Sequence, residues 1–144
     1  FVIYIVAISL MKDIRRVFEY HGAEHKVVHC YENDEPLTPE NAKKYTTIHP
    51  RCGTSFMMIV MVVSILLFSF MGWPNIILRI ISRIVMLPVV SGISYEFIRL
   101  AGKCNSPIIR ALNAPGMWLQ RLTTREPDEA QLEVAIAALK GVLN

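Results

Sequence analysis

The sequence predicts an all-α, helical integral membrane protein with a transmembrane hairpin and cytoplasmic helical segments. Three observations lead there. Hydrophobic residues make up 53% of the 144 and charged residues 19%, which lies outside the balance of a soluble domain. Residues 52–78 contain no charge at all, and a spanning helix needs roughly 20 apolar residues. Seven of the fifteen basic residues lie within residues 12–51 and six more between Arg99 and Lys140, with none in the turn at 72–78. Lys and Arg collect on the cytoplasmic side of membranes, so both flanks are expected inside and the hairpin tip outside.

Residues 1–11 are apolar and begin without a methionine; they are expected to be the end of a truncated transmembrane helix in a fragment of a longer protein. They lack the basic start and small-residue cleavage site of a signal peptide. Residues 12–52 form a polar, His- and Cys-rich segment. Its first part fits a helix, because Ile14, Val17, Phe18, His21, Glu24, His25, Val28, His29 and Glu32 share one side at about 100° per residue. Imidazoles on such a stripe need a hydrogen-bond partner or a metal, since a buried unpaired polar group costs roughly 1–3 kcal/mol. Gly22 marks a bend or a close backbone approach. Residues 33–36 break the helix, and Thr38-Pro39-Glu40 reads as an N-cap with Pro at N1.

Residues 53–102 are expected to be the hairpin. Residues 54–73 make the clearer span. Residues 75–102 are harder, because the charge-free core at 84–95 is too short to span alone and Pro88 and Gly92 are expected to kink or break it. Glu96 and Arg99 sit three apart and can pair on one helix face. Residues 103–144 are a cytoplasmic or interfacial tail, with Trp118 as an interface anchor. Its last helix is expected to start with Glu126 as N-cap, Pro127 at N1 and Asp128 and Glu129 in the first turn, with Leu132, Ile136, Leu139 and Leu143 at helical spacing.

All four histidines fall within residues 21–49. His21 and His25 are four apart, so one helix can aim both at one ion, and Glu24 between them fits the general base of a His-x-x-Glu-His metal hydrolase. A third ligand is sought among His29, Glu32, His49 and Cys52, the last two spaced His-x-x-Cys. Imidazole and thiolate donors point to a divalent metal, zinc first. Three cysteines make no disulfide framework; Cys30 faces away from the histidines and reads as a packing residue, and Cys104 has no assigned role. Arg51 is a basic membrane anchor or a holder of an anionic substrate. Glu96 is an ionisable group at membrane depth and a possible oxygen ligand. Nucleic-acid binding has no support, because no basic stripe carries interleaved aromatics.

The runs Phe18-Glu-Tyr-His-Gly-Ala-Glu-His-Lys26, His29-Cys-Tyr-Glu32, Thr47-Ile-His-Pro-Arg-Cys-Gly-Thr-Ser-Phe56 and Leu87-Pro-Val-Val-Ser-Gly-Ile-Ser-Tyr-Glu-Phe-Ile-Arg99 resemble the YqhQ-like family of bacterial membrane proteins. Pro115-Gly-Met-Trp-Leu-Gln-Arg-Leu-Thr-Thr-Arg-Glu-Pro127 and Glu133-Val-Ala-Ile136 extend the resemblance over nearly the whole chain. It implies a multi-pass bacterial inner-membrane protein of about twice this length, from a family of unknown function described as a predicted metal-dependent enzyme. The expected function is a metal-dependent hydrolase with its site on the cytoplasmic face, in contact with the lipid bilayer and acting on a lipid-linked or membrane-embedded substrate. The alternatives are an ion or metal transporter or channel component lined by the histidines and Glu96, and a non-catalytic scaffold with a structural metal.

Overall fold

A computed structural model describes residues 2–72, 75–103 and 106–143. Phe1, the Trp73 end of the expected first span, and Cys104 lie outside them. Every regular element among the described residues is a helix: α1 (Val2–Ser9), α2 (Lys12–Glu32), α3 (Pro39–Lys43), α4 (Gly53–Ser69), α5 (Ile76–Lys103), α6 (Pro107–Thr123) and α7 (Glu129–Leu143). The chain forms two compact units, Phe1–His49 with Met117–Asn144, and Pro50–Gly116. Helix α6 contributes residues to both.

The first unit is built around α2, which packs on α1, α3 and α7. Its closed core is Ala23, Val27 and Cys30 from α2, Ala42 from α3, and Leu132, Ala135 and Ile136 from α7. This face lies opposite the histidine stripe, which changes one expectation. Val17, placed on the inward stripe by periodicity, is 57% exposed. The apolar seam runs through small residues that score weakly as hydrophobic, so periodicity passed over it. Cys30 fits it as a packing residue, and burial together with the Glu35 carboxylate pushes its thiol pKa up.

Local signals set the helix ends. Asn41 donates its backbone N–H to Thr38 Oγ1 at 3.3 Å, ahead of Pro39 at N1, as expected. Helix α2 stops at Glu32, and Asp34 takes a left-handed φ of 55° just beyond it. Helix α7 starts later than the sequence predicts. Asp128, not Glu126, caps it: Gln131 N donates to Asp128 Oδ1 at 2.8 Å while Asp128 N donates to Gln131 Oε1 at 2.9 Å. That reciprocal pair is a capping box, and two bonds outweigh the N1 preference of Pro127. Glu126 is drawn instead to Lys26 Nζ, 2.9 Å away. Leu132 and Ile136 are buried, but Leu143 is 48% exposed.

In the second unit α4 packs against α5. Helix α4 has 17 residues, about 25 Å of rise, less than the roughly 30 Å of bilayer hydrocarbon. Beyond it Gly72 holds φ 67° and turns the chain. Helix α5 is the one described helix long and apolar enough to cross a membrane. Pro88 lies inside it without ending it, since a proline deletes one of many i→i−4 bonds. The clearer span in the sequence is thus the shorter helix, and the doubtful one is continuous. Buried positions of this unit include small or polar side chains, Ser55, Ser94 and Gly116, while Met57, Ile65, Ile77, Ile84 and Val85 are exposed.

Gly22 marks a close approach and not a bend. A Cβ there would sit 2.0 Å from the carbonyl oxygen of Arg125, whose N–H donates to Phe18 O at 2.9 Å. Gly22→Ala requires the 125 backbone to move by about an ångström, at the upper end of overpacking costs, about 3 kcal/mol, against about 1 kcal/mol gained in helix propensity. Denaturant unfolding followed by circular dichroism is expected to show a net loss of about 2 kcal/mol.

Candidate metal centre

The four imidazoles that the sequence placed within one window meet in the first unit. Helix α2 carries His21, His25 and His29 at successive turns of one side, and the irregular segment after α3 brings His49 against them. Ring centroids lie 4.4 Å apart for His21–His25, 5.8 Å for His25–His49 and 4.7 Å for His29–His49. His29 also stacks on Tyr45 at 6.0 Å. His25 and His49 are buried at 6% and 5% exposure.

Backbone carbonyls fix the protons on three rings. His21 Nδ1 donates to Thr123 O at 2.9 Å, His25 Nδ1 to Thr47 O at 2.5 Å, and His29 Nε2 to Ile48 O at 2.9 Å. A carbonyl oxygen only accepts, so each facing nitrogen carries the proton. The lone pair is thereby assigned to Nε2 of His21 and His25 and to Nδ1 of His29. This is how metal-ligating histidines are oriented and their tautomers set.

The segment supplying these carbonyls is itself clamped. Gln120, fully buried, accepts from His49 N through Oε1 and donates from Nε2 to His49 O, both at 2.8 Å. Lys26, 4% exposed, donates to Lys43 O at 3.2 Å and Tyr45 O at 2.7 Å. Neither residue figured in the sequence reading. A lysine on the α2 face next to the core is a usable signal after the fact, whereas Gln120 gave none.

The donor set fits a divalent ion. His29, Glu32 and His49 each bring a ligand atom within 4.8 Å of the others. His49 Nε2 and Glu32 Oε2 are 3.3 Å apart, which is about the 3.3 Å separating two ligands of a tetrahedral ion with bonds of about 2.0 Å. Burial lowers the pKa of His49, opposed by hydrogen bonding and charge from Glu32 and reinforced by His29 and His25. The ring therefore stays neutral, the form that binds metal.

The remaining expected residues are placed as follows. Glu24 is exposed on α2 and is not among the residues whose ligand atoms converge. Cys52 is buried in the second unit, where Sγ accepts from Thr54 N at 3.4 Å as the N-cap of α4. Arg51 is exposed. Glu96 is also exposed, with Oε1 3.5 Å from Arg99 Nη1.

Two outcomes are expected from this geometry. Gln120→Ala leaves a buried N–H and C=O of His49 without their partners, costing at least about 2 kcal/mol and lowering metal affinity as the His49 segment loosens; denaturation and metal titration check both. The second concerns pH in the presence of chelator. Unfolded His49 takes up a proton near pH 6.5, whereas native His49 takes it up only at lower pH. Its contribution is therefore complete above about 6.5 and is lost as pH falls below it. The unfolding midpoint is expected to drop from pH 7 to pH 5, and to drop less in His49→Gln.

The family described as "Protein of unknown function (DUF1385)" matches residues 1–144. The chain is 43% identical over 141 residues to the "Uncharacterized protein YqhQ" of Bacillus subtilis (strain 168), an alignment covering 97% of this chain and 44% of that protein. The chain thus spans under half the length of the curated relative it matches. No solved structure matches it. On these matches, the chain belongs to the DUF1385 family.

Proposed function

We propose that this protein is a membrane-embedded metal-dependent hydrolase whose ion, zinc first, is held by the imidazole cluster. One observation carries the reading: the three helix-borne histidines each spend one ring proton on a backbone carbonyl, which sets the other nitrogen as an electron-pair donor. Hydrogen bonding alone does not need three imidazoles on successive turns of a helix, each with one ring nitrogen held by a backbone carbonyl. His29, Glu32 and His49 are the first ligands, His21 and His25 extend the donor set, and Cys52 is nominated by its His-x-x-Cys spacing. A bound divalent ion supplies Lewis acidity at the reacting centre.

The chain's own groups do the rest. The carbonyls of Thr47, Ile48 and Thr123 hold the ring protons, so the imidazoles do not turn during turnover. Glu24, exposed beside them on α2, is the proton acceptor and can exchange its proton with solvent. The membrane setting is supported by the second unit, where many large apolar side chains face outward and the close contacts at Ser55, Ser94 and Gly116 involve small residues, a pattern common in helices packed in lipid. On this reading the α4–α5 pair lies in the bacterial inner membrane, with the metal centre on the cytoplasmic side and a lipid-linked or embedded substrate at the membrane surface.

A structural ion is the second reading, favoured by the burial of His25 and His49. The transporter reading needs Glu96 on an ion path; its pairing with Arg99 at the exposed surface gives that no support.

The test is metal content after loading with zinc or manganese and gel filtration. Wild type is expected to retain stoichiometric metal, His29→Ala and His49→Ala to lose it with affinity down at least tenfold, and Glu24→Gln to retain it while abolishing any hydrolysis of lipid phosphoesters. Loss of metal in Glu24→Gln makes that residue a ligand and removes its role as base. Wild type without metal ends the reading.

A further inference from the structure

The polar end of the α4–α5 pair carries a cavity of about 400 Å³ that the metal chemistry does not use. Arg51, Arg99 and Lys103 line it, together with Gly53, Phe56 and Tyr95. Arg99 Nη1 lies 3.5 Å from the Glu96 carboxylate. Gly53 opens α4, so the positive end of that helix dipole adds to the same field. Arg51 is held there by close packing. Its stem crosses α5 at Gly102, where a Cβ would lie 2.6 Å from Arg51 Cδ.

The rest of the lining is largely apolar, with Phe56, Tyr95 and Ile98 one or more helical turns further along α4 and α5 from their Arg51–Gly53 and Lys103 ends. A cavity lined by both cations and apolar side chains is what an anionic amphiphile requires. Inorganic phosphate would engage the cations and leave the apolar wall wet. Basic pockets at the ends of membrane helices take phosphate head groups for this reason.

We propose that this cavity binds the phosphate head group of an anionic membrane lipid, with Arg51, Arg99 and Lys103 on the phosphate and Phe56 and Tyr95 against the glycerol and upper acyl chain. The inference rests on the membrane reading of α4 and α5 and not on the metal centre. Failure of the membrane reading appears separately, as protein that stays in solution without detergent.

The experiment uses the protein purified from membranes in a zwitterionic detergent, stripped of lipid, and titrated with short-chain phosphatidylglycerol, short-chain phosphatidylcholine or inorganic phosphate while the thermal midpoint is followed. Phosphatidylglycerol is expected to raise the midpoint at concentrations at least tenfold below phosphatidylcholine. The double variant Arg51→Gln, Lys103→Gln is expected to need at least tenfold more phosphatidylglycerol. Gly102→Val, which keeps every charge but displaces the Arg51 stem, weakens the response by a smaller factor. Arg110→Gln, on an exposed face of α6, leaves it unchanged. Equal responses to the two lipids, or no loss in either the double variant or Gly102→Val, would overturn the proposal. Inorganic phosphate reproducing the phosphatidylglycerol response would also overturn it, in favour of a free-anion site.

Discussion

Helix α2 is covered on two opposite sides, and the rest of the first unit follows from what that coverage demands. On one side Ala23, Val27 and Cys30 close against Leu132, Ala135 and Ile136; these small residues let the helices approach and exclude water. On the other side lie imidazoles, which cannot be buried without partners. The carbonyls of Thr47, Ile48 and Thr123 meet them. A segment with its carbonyls turned toward side chains is not satisfied by a helix or sheet, so it must be held another way. Gln120 and Lys26 hold it, each through two hydrogen bonds to backbone. Gly22 belongs to the same arrangement, because only a residue without Cβ lets the Arg125 carbonyl lie against α2.

This makes the metal-competent cluster a product of the packing and not an ornament on it. The bonds that satisfy the buried rings are the ones that set their tautomers. His49 remains neutral because it is buried, and neutrality is what a ligand requires. A site assembled this way is preorganised by its surroundings, so its ligand geometry depends on residues that touch no ion.

The second unit obeys a different rule. Its tight contacts are made by small side chains: a Cβ at Gly116 would lie 2.9 Å from Ser55 Cβ, and Ser94, fully buried, bonds back to Val90 O at 2.7 Å. Many large apolar groups, Met57, Ile65, Ile77 and Ile84 among them, are exposed, while Ile59, Val90 and Ile98 are buried; exposed apolar surface of this extent marks an interaction surface. Arg51, Arg99 and Lys103 line one cavity at its polar end together with Phe56, Tyr95 and Ile98.

Much of this was legible in the sequence. Helical periodicity located α2, Thr38-Pro39 located the start of α3, and the histidine clustering located the candidate site. Composition also marked residues 53–102 as apolar helix. What the sequence misjudged were competitions between neighbours. Asp128 won the α7 cap from Glu126 because Gln131 answers it. Helix α5 runs through Pro88 because one lost bond does not end a helix of 28 residues. Which face of α2 forms the apolar core was decided by Ala and Cys, whose hydrophobicity is too slight to read from spacing. Gln120 and Lys26 were invisible as positioning residues, since their partners are backbone groups on distant segments. Residue types and their local order set the helices and the available ligands. Only the tertiary structure decided which buried groups face one another, because hydrogen bonding and close packing depend on distances that sequence separation does not encode.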